Sequence, residues 1–294
     1  MTLDQAGRRR LLRLATAPAL AGLTGCAGWA GPPAARVDVA VVGGLSLCGV
    51  WPRVAEAAGA SLGLELRTVA AAPKEGVVPA MADGRAQLLL IHASDEAMGL
   101  EAADLASAAR VWGWNQHVFA GPSHDPAGVR GAADGIEAMH RIVDSGSPFI
   151  GLRDPGSYAV VQRLWRHAGI RPDARWLRAD TGPRPQAVLQ LAAELQAYAV
   201  VGHIPLHFGK MGAEGISLLL QGDPLMRRPY VLLAPGPRHG ADAAQRHHAA
   251  RVAEHLLSAR GQQELALANA EAAGPWIFGR DSMPLVNDAP TGAA

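Results

Sequence analysis

The sequence predicts an α/β protein, and three observations carry that reading. Short apolar runs alternate with apolar-periodic stretches over the first hundred mature residues, the pattern of strands and helices laid down in turn. Two Gly-containing turns, 41–49 and 149–158, each follow an apolar run and lead into a helical stretch. The 294 residues, 49% hydrophobic and 18% charged, suffice for one large or two ordinary domains. A strand–turn–helix junction points free backbone N–H groups outward and adds the positive end of the helix dipole. Each of the two turns is therefore a candidate anion cradle, facing the other across a cleft.

The N-terminus reads as an address. Arg8-Arg9-Arg10-Leu11-Leu12-Arg13 precedes an apolar stretch from Leu14 to Leu23, too short to span a bilayer. The arrangement resembles a twin-arginine export signal. Leu23-Thr24-Gly25-Cys26 resembles a lipobox, in which Cys26 is acylated after cleavage. Residues 1–25 are thus expected to be the signal. Residues 26–35, with Gly31-Pro32-Pro33-Ala34-Ala35, form the tether of an extracytoplasmic, membrane-anchored lipoprotein. The formal charge of +1 is misleading. The first 25 residues hold four arginines against Asp4, and removing that +3 leaves −2, so charge gives no argument for nucleic acid. The two cysteines, Cys26 and Cys48, lie in different contexts and predict no disulfide. No later segment is apolar for the roughly 18 residues a membrane span needs.

Along the mature chain, strands are expected at 37–42, 64–69, 87–92, 110–121, 149–152, 197–201, 216–220 and 230–234. Helices are expected at 51–58, around Val77-Val78-Met81, from Glu96, at 134–144, 157–168 and 184–195, and over a long C-terminal region, 241–273. Ser94 and Asp95 have the right chemistry to cap the helix at Glu96. The alternation argues for a parallel sheet.

Several stretches together carry a family resemblance. They are Leu88–Ala93, Val118–Gly128, Ser145–Phe149, Leu164–Ile170, Gln221–Leu225 and Ser258–Gln262, in that order over some two hundred residues. In order and spacing they resemble the type II periplasmic solute-binding proteins, most closely those of tungstate ABC transporters. The resemblance implies a two-lobed fold of the periplasmic-binding-protein kind, with two crossover strands and a central cleft where an oxyanion is dehydrated. Lobe one would be 36–117 plus 229–294 and lobe two 118–228, with crossings near 114–119 and 224–230. It also implies capture of a small oxyanion, tungstate or molybdate-like, for the membrane subunit of an ABC importer. Two departures stand out. The family's Thr/Ser-rich turn after the first strand is here Val42-Gly43-Gly44-Leu45-Ser46-Leu47-Cys48. Its second turn, roughly Ser-Arg-Gly-Asp-x-Ser-Gly-Thr, is here Gly151-Leu152-Arg153-Asp154-Pro155-Gly156-Ser157-Tyr158.

The candidate ligand residues are Gly43, Gly44, Ser46, His92, Arg153, Ser157 and Arg184. Arg153 offers a forked donor to an oxyanion, or pairs with Asp154 at the surface. Ser157 caps a helix, faces the ligand, or does both. Gly43 and Gly44 permit close backbone approach or positive φ, or simply make a tight turn. His92 ends a strand, where clefts of doubly wound sheets lie, or is a satisfied core histidine. Arg184 precedes a helix in lobe two. Cys48 reads as a small buried hydrophobe. His247, His248 and His255 read as a solvated helix face, since metal binding would need different spacing. Trp112 and Trp114 read as packing residues on one side of a strand.

Catalysis finds no support in these residues. Gly44-Leu45-Ser46-Leu47-Cys48 fails the Gly-x-Ser-x-Gly pattern at its last position. There is no phosphate loop, no zinc spacing and no paired carboxylate in the candidate turns. A binding protein without cofactor is expected. The alternative is a lipid-anchored sensor or accessory protein of the same fold, holding another solute and not serving transport.

Overall fold

The computed structural model describes residues 35–151 and 154–282. The export signal, Cys26, most of the tether and Arg153 lie outside the described residues.

The first apolar core is built on a mixed sheet. Strand β1 (Arg36–Val42) runs into the short helix α1 (Gly43–Leu47) and then α2 (Val50–Leu62). There follow β2 (Glu65–Ala72), α3 (Lys74–Ala82), β3 (Leu88–His92) and α4 (Asp95–Ala102). Strand β1 lies between β2 and β3, parallel to both. It is buried on both faces, so it reads as a continuous Val/Ala run rather than an alternating one.

The parallel order then breaks. Strand β4 (Arg110–Pro122) is 13 residues long and serves two sheets' worth of partners. Its first half pairs antiparallel with β9 (Arg227–Leu233). Its second half pairs antiparallel with β7 (Ala199–Gly202) and β8 (Ile216–Leu220). Strand β9 in turn pairs antiparallel with β3. The sheet is therefore mixed rather than purely parallel: β4 and β9 are the crossing strands of a two-lobed α/β fold.

Between the crossings, α5 (Gly135–Asp144), β5 (Phe149–Gly151), α6 (Pro155–Ala168), β6 (Leu177–Ala179) and α7 (Val188–Leu195) surround a second core. Phe149, Trp165 and Trp176 meet edge to face there, with ring centroids 5.9–6.4 Å apart. This separation is the favoured one for aromatic pairs. Helix α8 (His203–His207) follows β7 and sends Ile204 into the first core. The chain finishes with α9 (Ala243–Leu257), α10 (Ala259–Glu271) and β10 (Phe278–Gly279), which pairs with the outer edge of β4.

Several expectations need correction. The long C-terminal helix is two, broken at Ser258, whose hydroxyl caps α10. Strands β6 and β10, of three and two residues, carried no apolar run long enough to be seen. Ser94 holds the N-cap position of α4 but makes no capping hydrogen bond. Trp112 and Trp114 do not share an environment, because the β4–β9 register skips between Val111 and Gly113. Trp112 is fully buried against Trp51, whereas Trp114 donates to the Arg280 carbonyl at the surface. His255 is not on a solvated face: its Nε2 lies 2.8 Å from Glu264 in a largely covered pair. No helix of the described residues is long and apolar enough to cross a membrane.

Candidate functional site

Strand register places the site. Residues paired directly across an antiparallel ladder point to the same face, as do residues two apart on one strand. Asn115 pairs with Arg228, and Tyr230 pairs with His92. Asn115 and His117 are two apart on β4, and Arg228 and Tyr230 are two apart on β9. Five polar side chains from three strands therefore share one face at the point where the chain crosses between lobes. Asn115, His117 and Tyr230 are all buried.

Each lobe sends a helix start onto this face. From lobe one, a Cβ added at Gly44 would lie 3.5 Å from the Tyr230 hydroxyl. From lobe two, Gly156 in the first turn of α6 lies under the Arg228 guanidinium so closely that a Cβ there would overlap it. Arg228 also reaches back to lobe one, donating to the Ala93 carbonyl at 3.5 Å. Next to it, Asp154 caps α6: its Oδ2 accepts from the Ser157 amide at 2.9 Å and from the Ser157 hydroxyl at 2.8 Å. With that hydroxyl committed, His117 Nε2, 3.1 Å from Ser157 Oγ, donates to it. The chain His117–Ser157–Asp154 thus ties a crossing strand to the start of α6.

The electrostatics follow from burial. Burial, and then the Arg228 charge, pushes His117 down to about 4. Burial, Arg228 and His117 hold His92 well below the ordinary histidine range. Both imidazoles are neutral at pH 7. Burial opposes ionisation of Asp154, but the Ser157 amide and hydroxyl and the Arg228 charge outweigh it, so its pKa lies below the usual value. Burial lowers the Arg228 pKa, and Asp154 works against that. At the rim, Lys74 and Glu96 pair at 2.6 Å; this holds Glu96 near 2 and raises Lys74, with Asp154 adding to the latter. Three buried polar atoms of the face have no hydrogen-bond partner among the described residues: His92 Nδ1, Asn115 Oδ1 and His117 Nδ1. Buried polar groups are normally satisfied, and an orphan of this kind marks a place for a ligand or water.

No family model matches the chain. A protein of Haloferax volcanii named as an ABC transporter anion-binding protein is 25% identical, over 92% of this chain and 85% of its own length. The tungstate-binding protein TupA of Peptoclostridium acidaminophilum is 24% identical, over 62% of this chain and 66% of its own. Among solved structures, the tungstate-binding protein TupA of Desulfovibrio alaskensis superposes with a TM-score of 0.61 at 21% identity. That match covers 78% of this chain and 93% of the other. The fold is that of the type II periplasmic solute-binding proteins.

Within that fold, the sequence candidates separate. Gly44, His92 and Ser157 lie at the crossing-strand face. Gly43 packs instead along the backbone of Ala72, about 3.7 Å from where its Cβ would be. Neither Gly43 nor Gly44 has positive φ; Gly49, which opens α2, does. Ser46 lines a different feature, a groove of about 500 Å³ between α2 and β2, with Trp51 and Thr68. Arg184 is exposed ahead of the turn Pro185–Ala187 and takes no part in the face among the described residues. Ser157 is not the cap of α6 but the residue its cap, Asp154, holds. Cys48 is buried with its thiol pushed up by burial, hence protonated and unreactive. No group of three or more metal-ligating side chains occurs among the described residues.

Arg228, Asn115, His117, Tyr230 and Asp154 were not among the sequence candidates. A signal existed for the strand residues: Asn115-Gln116-His117 interrupts an otherwise apolar 13-residue strand, and Arg227-Arg228 precedes Pro229 in the other crossing.

Proposed function

We propose that the protein is an extracytoplasmic solute-binding protein that captures a small oxyanion, of the tungstate or molybdate kind, for an ABC importer. One observation carries this reading. The Arg228 guanidinium is held at the junction of the two lobes, between a lobe-one carbonyl and the start of a lobe-two helix. A forked donor fixed in a desolvated place is the usual device for binding a tetrahedral oxyanion. The Gly44 turn adds the backbone of a second helix start. The relatives named for anion and tungstate binding support the same reading. Lobe one is taken as 36–117 plus 229–294 and lobe two as 118–228, closing about the crossing strands. Arg153, adjacent to Asp154 in sequence, is a further candidate donor. Export by the twin-arginine route and acylation of Cys26 would hold the protein on the outer side of a membrane.

Thermal shift against a panel of oxyanions and small carboxylates tests the function. A ligand at a hundredfold its Kd stabilises the folded state by about 2.7 kcal/mol. Arg228→Ala is expected to abolish the shift. No shift of the wild type with any oxyanion would remove the anion reading. Cys26→Ser is expected to move the exported protein from the membrane to the soluble fraction.

A further inference from the structure

The guanidinium at the centre of the face is held only loosely by its own hydrogen bonds. Among the described residues the Arg228 side chain makes one, to the Ala93 carbonyl at 3.5 Å, which is long for such a bond. Its place over Gly156 therefore depends on where its backbone starts. That backbone is fixed from lobe two. Arg163, on α6, donates from one nitrogen, Nη1, to two carbonyls of the second crossing, Leu225 and Arg227, each at 3.0 Å. Just upstream, Asp223 accepts from the Leu225 amide and from the Gly135 amide at the start of α5, both at 2.8 Å.

Gly156 and Arg163 are seven residues apart on α6, so they share one face of the helix about two turns from each other. The first carries the Arg228 guanidinium, and the second holds the carbonyl that precedes the Arg228 amide. A closed circuit results, from α6 through Arg163, the Arg227 carbonyl and Arg228 back to α6 at Gly156. Arg227 turns its own side chain the other way, as alternate residues of a strand do. It donates to the Ser282 carbonyl at 2.8 Å and lies 4.0 Å over the Phe278 ring. Burial and the like charge of Arg166 lower the Arg163 pKa, and carbonyl oxygens alone take its hydrogen bonds among the described residues. A half-covered guanidinium with no carboxylate beside it is costly unless its donors are used. Its charge also helps to depress His117, which places it near the face.

We propose that Arg163 is a positioning residue for anion capture: by fixing the Leu225 and Arg227 carbonyls to α6, it sets the Arg228 guanidinium over the start of that helix. Arg163 acts through Arg228 and does not itself meet the ligand. A support of this kind holds a binding group to within about half an ångström of its working place. The proposal rests on the anion-binding reading above and deepens it.

Calorimetric titration of the exported protein, dialysed free of anions, tests it. Tungstate, molybdate, sulfate and phosphate are the probes, and the one that binds the wild type most tightly is carried through the variants. Arg163→Met, of similar length and without donors, is expected to lower affinity at least fivefold. Arg163→Lys is expected to stay within threefold of wild type, because an ammonium has three donors and a single nitrogen serves both carbonyls. A purely structural role would lower the urea midpoint and leave the affinity of the folded protein unchanged. A double-mutant cycle with Gly156→Ala separates the two roles further. Gly156→Ala already displaces the guanidinium, so adding Arg163→Met is expected to cost no more than twofold beyond it. If Arg163→Met does not fold, Arg163→Gln, too short to reach both carbonyls, takes its place. Three results each overturn the proposal and leave the anion reading standing: wild-type affinity in the folded variant, Arg163→Lys as weak as that variant, or its full loss repeated on the Gly156→Ala background. A wild type that binds none of the four probes removes both.

Discussion

The two helix starts that meet at the crossing strands are made differently. Helix α1 has no side-chain cap and no acidic residue in its first turn, and it lasts five residues. What it brings to the face is backbone, through Gly44. Helix α6 runs 14 residues and opens with a proline at the first position, where the missing N–H costs nothing. It is fixed by Asp154, by the Ser157 hydroxyl and by the guanidinium lying on Gly156. One side of the site is therefore set by the path of the chain, and the other by a hydrogen-bonded set of side chains. Substitutions on the α6 side should cost much more than substitutions on the α1 side.

Removing Asp154 should have the largest effect on stability. An N-cap residue contributes about 1 kcal/mol. Asp154→Ala also leaves Arg228 without its counter-charge in a covered place. The combined loss is expected to be about 2 kcal/mol, read as a fall in the urea midpoint with an unchanged slope. A loss below about 0.5 kcal/mol would mean that the cap and the ion pair do not hold the α6 side together.

Acid should expose the same asymmetry. The pKa of His117 is lowered in the folded protein from 6.5 to about 4, so the unfolded chain binds its proton first. Stability from this group is full above about 6.5 and declines as pH falls toward 4, by an amount on the order of 3 kcal/mol. Asp154 adds a second loss at lower pH. Its folded pKa is depressed below 3.8, so its contribution is present above that value and disappears as pH falls through the folded pKa. His117→Gln keeps a donor for Ser157 Oγ and does not titrate. Its stability curve should be flatter than wild type between pH 6.5 and 4, with the remaining slope coming from His92 and other buried histidines such as His203. Parallel curves for the two proteins would show that His117 is not a neutral donor in the folded state.

Much of the scaffold was legible in the sequence, because periodicity and caps are local. The Val37–Val42 run, the buried Leu-Leu-Leu-Ile of β3 and the apolar period of α5, which buries Ala138, Met139 and Ile142, each specify their element within a dozen residues. The site was less legible because pairing assembles it. Asn115 and Arg228 are more than a hundred residues apart, and only the β4–β9 register sets them side by side. Ser46 shows the opposite failure. It sits in the expected turn, but the one-turn helix α1 rotates it into the groove with Trp51 and Thr68. A turn's sequence states which groups are available; the φ/ψ path decides which of them face the ligand.

A methyl group at Gly156 separates the steric part of this argument from the electrostatic part. Alanine is better than glycine within a helix by about 1 kcal/mol. At this position its Cβ would occupy the space of the Arg228 guanidinium, the movable end of a long side chain. Gly156→Ala should therefore leave the melting temperature nearly unchanged while lowering anion affinity at least tenfold. Wild-type affinity in this variant would show that the guanidinium need not lie on α6 to bind.

The smallest effect is expected from the matching change on the other side. A Cβ at Gly44 would meet the Tyr230 hydroxyl at 3.5 Å and Ile204 at 4.0 Å, both ordinary van der Waals distances, and Gly44 does not have positive φ. Nothing in the fold requires glycine there. Gly44→Ala should change stability by no more than about 0.5 kcal/mol, with a slight gain because the unfolded chain loses freedom. Anion affinity should fall less than threefold, since the methyl group points toward Tyr230 and not toward the guanidinium. If Gly44→Ala instead weakens binding as much as Gly156→Ala, the α1 turn approaches the ligand as closely as α6 does. The site would then depend on both helix starts equally.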